Sequence, residues 1–170
     1  ENDFHTMTEV LLRSSSATFM YRDFQSRNVM IKDGEPWFID FQGGRKGPFY
    51  YDVASFLWQA KANFPDSLRQ EMIEHYIDAL RKFKPVDPHY FNGQLRHFVL
   101  FRTLQVLGAY GFRGYFEKKP HFMQSVPFAI ANLRDLIREP YTEYPYLSKV
   151  LDQLVRMNQF TDELQKHTLT

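Results

Sequence analysis

Cysteine is missing from all 170 residues of this chain. Its absence excludes disulfides, thiolate metal sites and a cysteine nucleophile, and fits a reducing compartment. Long apolar runs are missing as well, and none approaches the roughly 20 residues that span a bilayer. The opening stretch, ENDFHTMTEVLL, has no basic n-region and no apolar h-region, so a signal peptide is not read there. It also has no initiating Met, which points to processing or to a chain that begins partway through a longer product. Neither sign of charge prevails: 21 basic against 20 acidic residues give a formal net charge of +1. Neither nucleic acid nor a membrane is therefore expected as a partner, and the expected location is cytoplasmic. The six histidines fall in no HxxxH or HxH spacing, so no zinc site is expected. Glycine is absent before Gly34 and lysine before Lys32, a gap that matters below.

What is present suffices for a packed core. Apolar residues make up 44% of the chain and aromatics 17%, enough for a single domain over residues 1–170 or for most of one lobe of a larger enzyme. The segment FHTMTEVLLR (4–13) carries apolar residues at helical spacing and ends at a serine-rich loop. Short strands are expected at 17–21, 29–32 and 36–40, with Asp33 and Gly34 supplying the turn between the last two. After the loop QGGRKGP the pattern turns helical, over 50–64, 65–83, 88–116, 120–138 and 144–158. Proline stands at or near the start of several of these helices, where its missing N–H costs nothing. A small β cluster followed by a helical bundle makes the expected fold α+β.

The stretch MYRDFQSRNVMIKDGEPWFIDFQGG (20–44) concentrates the polar chemistry. Asp23 follows a strand, Asn28 opens the hairpin and Asp40 closes it. Because a hairpin brings its ends together, Asn28 and Asp40 should be neighbours despite their separation in sequence. One carboxylate to orient an attacking hydroxyl and two oxygen donors for Mg²⁺ are what phosphoryl transfer requires. Asp and Asn are also common turn formers, so the three residues alone do not decide the matter. Arg45 and Lys46, in the following loop, read as solvated. The aromatic stretch 98–116 reads chiefly as core, with a sugar-stacking surface as the alternative use.

YRDFQSRN and IDFQ resemble the catalytic loop and metal-binding segment of the protein-kinase-like superfamily, in its aminoglycoside/choline-type small-molecule phosphotransferase branch. RDFQSRNVM, IDFQGGRKGPFYYDVASFL, LFRTLQVLGAYGFRG and SVPFAIANL are similar to segments of the bacterial anomeric kinases of N-acetylmuramate and N-acetylglucosamine. The resemblance implies a kinase-like C-terminal lobe that uses ATP and Mg²⁺ to phosphorylate a hydroxyl of a small molecule, an amino sugar above all. It implies Asp23 as the catalytic base, and Asn28 and Asp40 as Mg²⁺ ligands that, with Gln25, contact the nucleotide. Asp52, Arg22 and Tyr21 become structural supports of the catalytic loop. An Asp in the first turn of a helix also has a local reason to be there, since its carboxylate accepts backbone N–H groups and suits the helix dipole. Tyr21 and Gln25 stand where many relatives have His, and Gln42, where protein kinases have Gly, is shared with the sugar-kinase subfamily.

The nucleotide clamp of a kinase, a Gly-rich loop with a strand lysine paired to a helix glutamate, has no counterpart in the 22 residues before Asp23. The expectation is a C-terminal lobe whose partner is the N-terminal lobe of the same polypeptide, and which is inactive by itself. Two alternatives accompany it: a kinase-like regulatory or binding module without turnover, and a choline- or aminoglycoside-type kinase.

Overall fold

A computed structural model describes residues 1–157. The chain divides into two compact units, Arg13–Val99 and Glu1–Leu12 together with the chain from Leu100 on. The architecture is α+β: short antiparallel strands near the start, then helices.

Within Arg13–Val99, β1 (Thr18–Met20) pairs antiparallel with β4 (Arg45–Gly47), and β2 (Val29–Lys32) pairs with β3 (Glu35–Phe38). The β2–β3 turn places Asp33 at φ 55° and Gly34 at φ 81°. Two successive left-handed residues are what a tight two-residue hairpin turn needs, and Asp-Gly tolerates both. Strand β4 was not legible: the glycines and lysine around it read as loop. Its pairing is tertiary, with Thr18 opposite Gly47 and the Thr18 hydroxyl donating to the Gly47 carbonyl at 2.6 Å. Arg45 and Lys46 therefore lie on a strand, with both side chains exposed.

Helices α2 (Tyr50–Leu57) and α3 (Asp66–Arg81) and the first half of α4 (Pro88–Gly111) complete this unit. Its core is aromatic: Tyr50 lies 5.0 Å from Phe91 and 5.3 Å from Phe98, ring centre to ring centre, and Phe49 stacks on Phe91 at 6.0 Å. Ile73 and Ile77, four apart on α3, are buried with them, as the 3.6-residue period requires. Helix α2 stops seven residues before the expected 64. The reason is visible at its end, where two side chains take carbonyls that further helix would have used. Gln59 Nε2 donates to Phe56 O at 2.7 Å and Arg69 Nε to Leu57 O at 3.1 Å. Arg69 is buried, paired with Asp66 at 2.9 Å and set over the Trp58 ring.

In the other unit, α1 (Asn2–Leu12), α6 (Val126–Leu136) and α7 (Pro145–Val155) surround a core of Met7, Leu100, Ile130, Leu133, Tyr141 and Leu151. The Asp3 carboxylate accepts the Leu147 N–H at 2.6 Å, satisfying a free donor in the first turn of α7. The expected helix over 88–116 ends as α-helix at Gly111 and continues as a π-helical turn, Phe112–Phe116. The expected helix over 120–138 is broken at Gln124 and Ser125 into α5 (Pro120–Met123) and α6. The end of the expected 144–158 helix lies outside the described residues. The aromatic stretch is divided in use: Phe98 is core, whereas Phe112, Tyr115 and Phe116 are exposed. Among the described residues no helix is long and apolar enough to cross a membrane.

Candidate active site

The loop from Tyr21 to Asn28 is held from several sides. The Asp52 carboxylate, in the first turn of α2, accepts the backbone N–H of Tyr21 at 2.6 Å and that of Arg22 at 2.9 Å. Arg22 stands at φ 77°, a left-handed conformation that costs a residue with a Cβ about 1–2 kcal/mol. A charged acceptor on its own N–H offsets that cost. Its guanidinium Nη1 reaches forward to the Gly43 carbonyl at 3.3 Å. Asp23, immediately after, is exposed.

Ser26–Asn28 forms a single 3₁₀ turn, closed by the Asn28 N–H on the Gln25 carbonyl at 2.9 Å. Gln25 thus contributes its backbone to the turn, and its half-buried side chain enters no described hydrogen bond. Gln59 holds the same turn from outside: its Oε1 accepts from Ser26 N at 2.9 Å and from Ser26 Oγ at 3.0 Å. Asn28 is 5% exposed, and its Nδ2 donates to the Asp23 carbonyl at 2.8 Å. That bond fixes which way the amide faces. Its nitrogen is committed to the loop, and its Oδ1 is the atom left for a ligand.

The second segment is tied to the first through the hairpin. The Ile39 N–H donates to Asn28 O at 3.1 Å, and the Tyr21 hydroxyl donates to the Ile39 carbonyl. Asn28 and the residue before Asp40 are therefore adjacent. Asp40 itself stands at φ 66°, a second left-handed residue beside a candidate reactive group. Gln42 Nε2 donates to Asp40 Oδ1 at 2.6 Å. The Tyr21 hydroxyl ionises above its ordinary value, first because it is partly withdrawn from water, then because Asp40, Asp23 and Asp52 oppose a further negative charge. Below the loop, Phe24 stacks on Phe56 at 4.7 Å and meets Tyr21 at 5.6 Å and Phe38 at 6.0 Å. One ring thus joins the candidate loop, the hairpin and α2.

Among the described residues no group of three or more His, Cys, Asp or Glu side chains gathers to hold a metal. A cation here would take one Asp40 oxygen and Asn28 Oδ1, with its remaining positions left to water and phosphate. That donor set of hard oxygens fits Mg²⁺, which dehydrates reluctantly and binds through one or two carboxylates.

Tyr21, Arg22, Asp23, Gln25, Asn28, Asp40 and Asp52 all belong to one unit and to one connected set of hydrogen bonds and ring contacts, Asp23 and Gln25 through their backbone. Two further residues join them that sequence reasoning did not supply. Gln59 lies 33 positions from Ser26, in a stretch read as continuing helix, and no local pattern marks it. Gln42 was recognisable only as a departure from the protein-kinase pattern, with nothing to say that it bonds Asp40.

Residues 4–86 match the model of the phosphotransferase enzyme family. An N-acetylmuramate/N-acetylglucosamine kinase of Neisseria meningitidis serogroup B is 28% identical over 147 residues, 85% of this chain and 44% of that protein. A kinase of the same name from Pseudomonas aeruginosa is 27% identical over 125 residues, 70% of this chain and 37% of that protein. The chain spans less than half the length of the curated relatives it matches. The resemblance read from YRDFQSRN and IDFQ is borne out as a similarity: residues 4–86 resemble the phosphotransferase enzyme family, and the chain is similar to two kinases of that name.

Proposed function

We propose that this chain carries the catalytic loop and metal segment of an ATP- and Mg²⁺-dependent kinase that phosphorylates a hydroxyl of an amino sugar. One observation carries the reading: the Asn28 amide is locked onto the Asp23 carbonyl while its backbone is bonded to Ile39, next to Asp40. That frame supports reading Asp23, Asn28 and Asp40 as the three groups that phosphoryl transfer requires. In this reading Asp23 orients the acceptor hydroxyl and takes its proton. Loose phosphoryl transition states make the positioning weigh more than the basicity. Asn28 Oδ1 and an Asp40 oxygen hold the metal, which when bound supplies charge neutralisation at the phosphates. Asp52 and Tyr21 keep the loop in place, Arg22 is held at its left-handed turn, and Gln25 faces the nucleotide.

The amino-sugar acceptor is inferred from the names of the two relatives. The nucleotide-clamping part belongs, in this reading, to polypeptide outside these 170 residues, in the same cytoplasmic protein, and these residues alone are inactive. The test is ATP consumption by the full-length product with Mg²⁺, run against N-acetylmuramate, N-acetylglucosamine, choline and an aminoglycoside. Turnover on one amino sugar, reduced about 10²–10⁴-fold in kcat by Asp23→Asn with nucleotide affinity kept, is the expected result. Mutant and parent turning over at the same rate would remove Asp23 from its role. Mg²⁺-dependent ATP binding without turnover on any acceptor would point to a regulatory module instead.

A further inference from the structure

We propose that the recess beside the π-helical turn Phe112–Phe116 binds a small organic carboxylate with an apolar body, an aryl or short acyl acid, whose charge is met by Lys118. The site lies within the unit that contains the chain from Leu100 on. The inference is independent of the roles read for Asp23, Asn28 and Asp40.

The recess has a volume of about 440 Å³ and is lined by Gly114, Tyr115, Lys118, Pro120, Met123 and Gln124. Sites for small molecules begin at about 300 Å³, so a body the size of one ring can enter it. Tyr115, Pro120 and Met123 make the lining largely apolar. The turn is pressed against α5 on one side: Gly114 is buried, and a Cβ there would lie 2.8 Å from Met123 Sδ. A π-helical turn is an uncommon conformation that occurs frequently at functional sites, and packing of the core does not account for this one. Phe112, Tyr115 and Phe116 are all more than half exposed, with Phe112 and Phe116 stacked on each other at 5.2 Å.

The charge is supplied from an unusual place. The turn closes with the Lys119 N–H on the Arg113 carbonyl at 3.0 Å. At such helix ends the residue before the closing N–H is left-handed and commonly glycine. Lys118 holds that position at φ 53°, where glycine would suit the backbone better. Its ammonium, rather than its backbone, gives a lysine a reason to be there. The neighbouring charges are already engaged: Lys119 pairs with Glu117 at 2.6 Å, and the Arg113 guanidinium lies over the Phe122 ring at 5.3 Å. Among the described residues Lys118 is exposed and has no carboxylate partner. The recess therefore joins one uncommitted cation to an apolar floor, the complement of an acid with a compact apolar body. A sugar would turn hydroxyls towards walls that cannot bond them.

The experiment uses the full-length product labelled at its methionine methyls. The Met123 resonance, assigned from Met123→Leu, is followed during titration with phenylbutyrate, and no activity is measured. The expected dissociation constant is about millimolar. The uncharged phenylbutyramide should bind about two- to fivefold more weakly, the effect of one exposed ion pair. Lys118→Met, which keeps the stem and removes the charge, should abolish that difference. Lys118→Gly should abolish it as well while raising the urea midpoint, because glycine relieves the left-handed strain; a gain in stability with a loss of preference separates recognition from folding. Equal affinities for acid and amide in the parent, or a preference that survives Lys118→Met, would overturn the assignment of Lys118. A Met123 methyl unmoved at about ten times the expected constant would remove the site altogether. N-acetylmuramate moving it at lower concentration than phenylbutyrate would overturn the apolar body and make the ligand a sugar acid.

Discussion

Removing the carboxylate of Asp52 separates loop geometry from chemistry, because the bonds it makes to the candidate loop go to the backbone N–H groups of Tyr21 and Arg22. The two N–H···O contacts, 2.6 and 2.9 Å, have a charged acceptor and half-buried surroundings. At the low end of about 1.5 kcal/mol each, they contribute about 3 kcal/mol to holding this backbone. Arg22 works against them. Its left-handed conformation, φ 77°, stores about 1–2 kcal/mol, which is released once the acceptor is gone. Asp52→Ala is therefore expected to lower the stability of this loop by a net amount of only about 1–2 kcal/mol. Native-state hydrogen exchange reads that difference. At about 1.4 kcal/mol per factor of ten, the Tyr21 and Arg22 amides should exchange about 5- to 30-fold faster in Asp52→Ala. Asp52→Asn, which keeps one acceptor oxygen, should show a smaller increase. Amides at 21 and 22 that stay as protected in Asp52→Ala as in the parent would refute the reasoning, whatever happened to catalysis.

Three further outcomes are expected. Gln59→Leu removes the acceptor of both Ser26 donors and the donor to Phe56 O, at a cost of about 1–2 kcal/mol in urea unfolding. Gln59→Glu, which still accepts from Ser26, should recover most of it, and equal midpoints for all three proteins would count against the brace. Gly44→Ala forces a Cβ to 3.0 Å from the Phe41 carbonyl; the Phe19 ring can swing away but the carbonyl cannot, so roughly 1–3 kcal/mol should be lost, checked by the same unfolding curve. Tyr50 and Tyr76 ionise at about 12, chiefly because burial opposes the phenolate, with Tyr90 and Tyr76 adding to the effect at Tyr50 and Asp52 at Tyr76. Their unfolded value is about 10, so the stability they contribute is intact below about pH 10 and lost as pH rises towards about 12. Denaturant midpoints across that window should fall as phenolate absorbance rises, and a flat profile would contradict the burial of both rings.

The parts of this fold that were legible are those whose cause is local. Asp33-Gly34 announced the hairpin because two left-handed residues in succession restrict the choice of side chains. Pro65 marked the entry to the helix found as α3, because proline is tolerated where a helix starts. Strand β4 was not legible, because glycines next to basic residues carry no β preference of their own. Only pairing with Thr18–Met20 makes Arg45–Gly47 a strand. The early end of α2 was hidden for a related reason. Nothing within YYDVASFLWQAKANF reports that Gln59 and Arg69 will take the carbonyls of Phe56 and Leu57.

The candidate site divides along the same line. The residues in the loop, Asp23 and Asn28, are offered by type and spacing, and the resemblance to kinase-like phosphotransferases set them apart from ordinary turn formers. The residues that hold the loop lie far off in sequence: Asp52 bonds across 31 and 30 positions and Gln59 across 33. Asp52 was found through a resemblance and through the general fitness of an Asp for a helix start, neither of which shows the two N–H groups it serves. Gln59 had no such signal. The left-handed backbone at Arg22 makes the point sharper, since Arg seldom adopts that conformation and needs outside partners to stay in it, whereas Asp40 is of a type that tolerates it better. At Arg22 that partner is Asp52. At Asp40 the partners are the bonds to Ile39 on one side and Gln42 on the other. A motif such as YRDFQSRN therefore specifies which groups are offered, and the geometry in which they are offered is specified by side chains outside it. Variants at Asp52, Gln59 and Gln42 are accordingly expected to disturb this site while every residue of that motif stays in place.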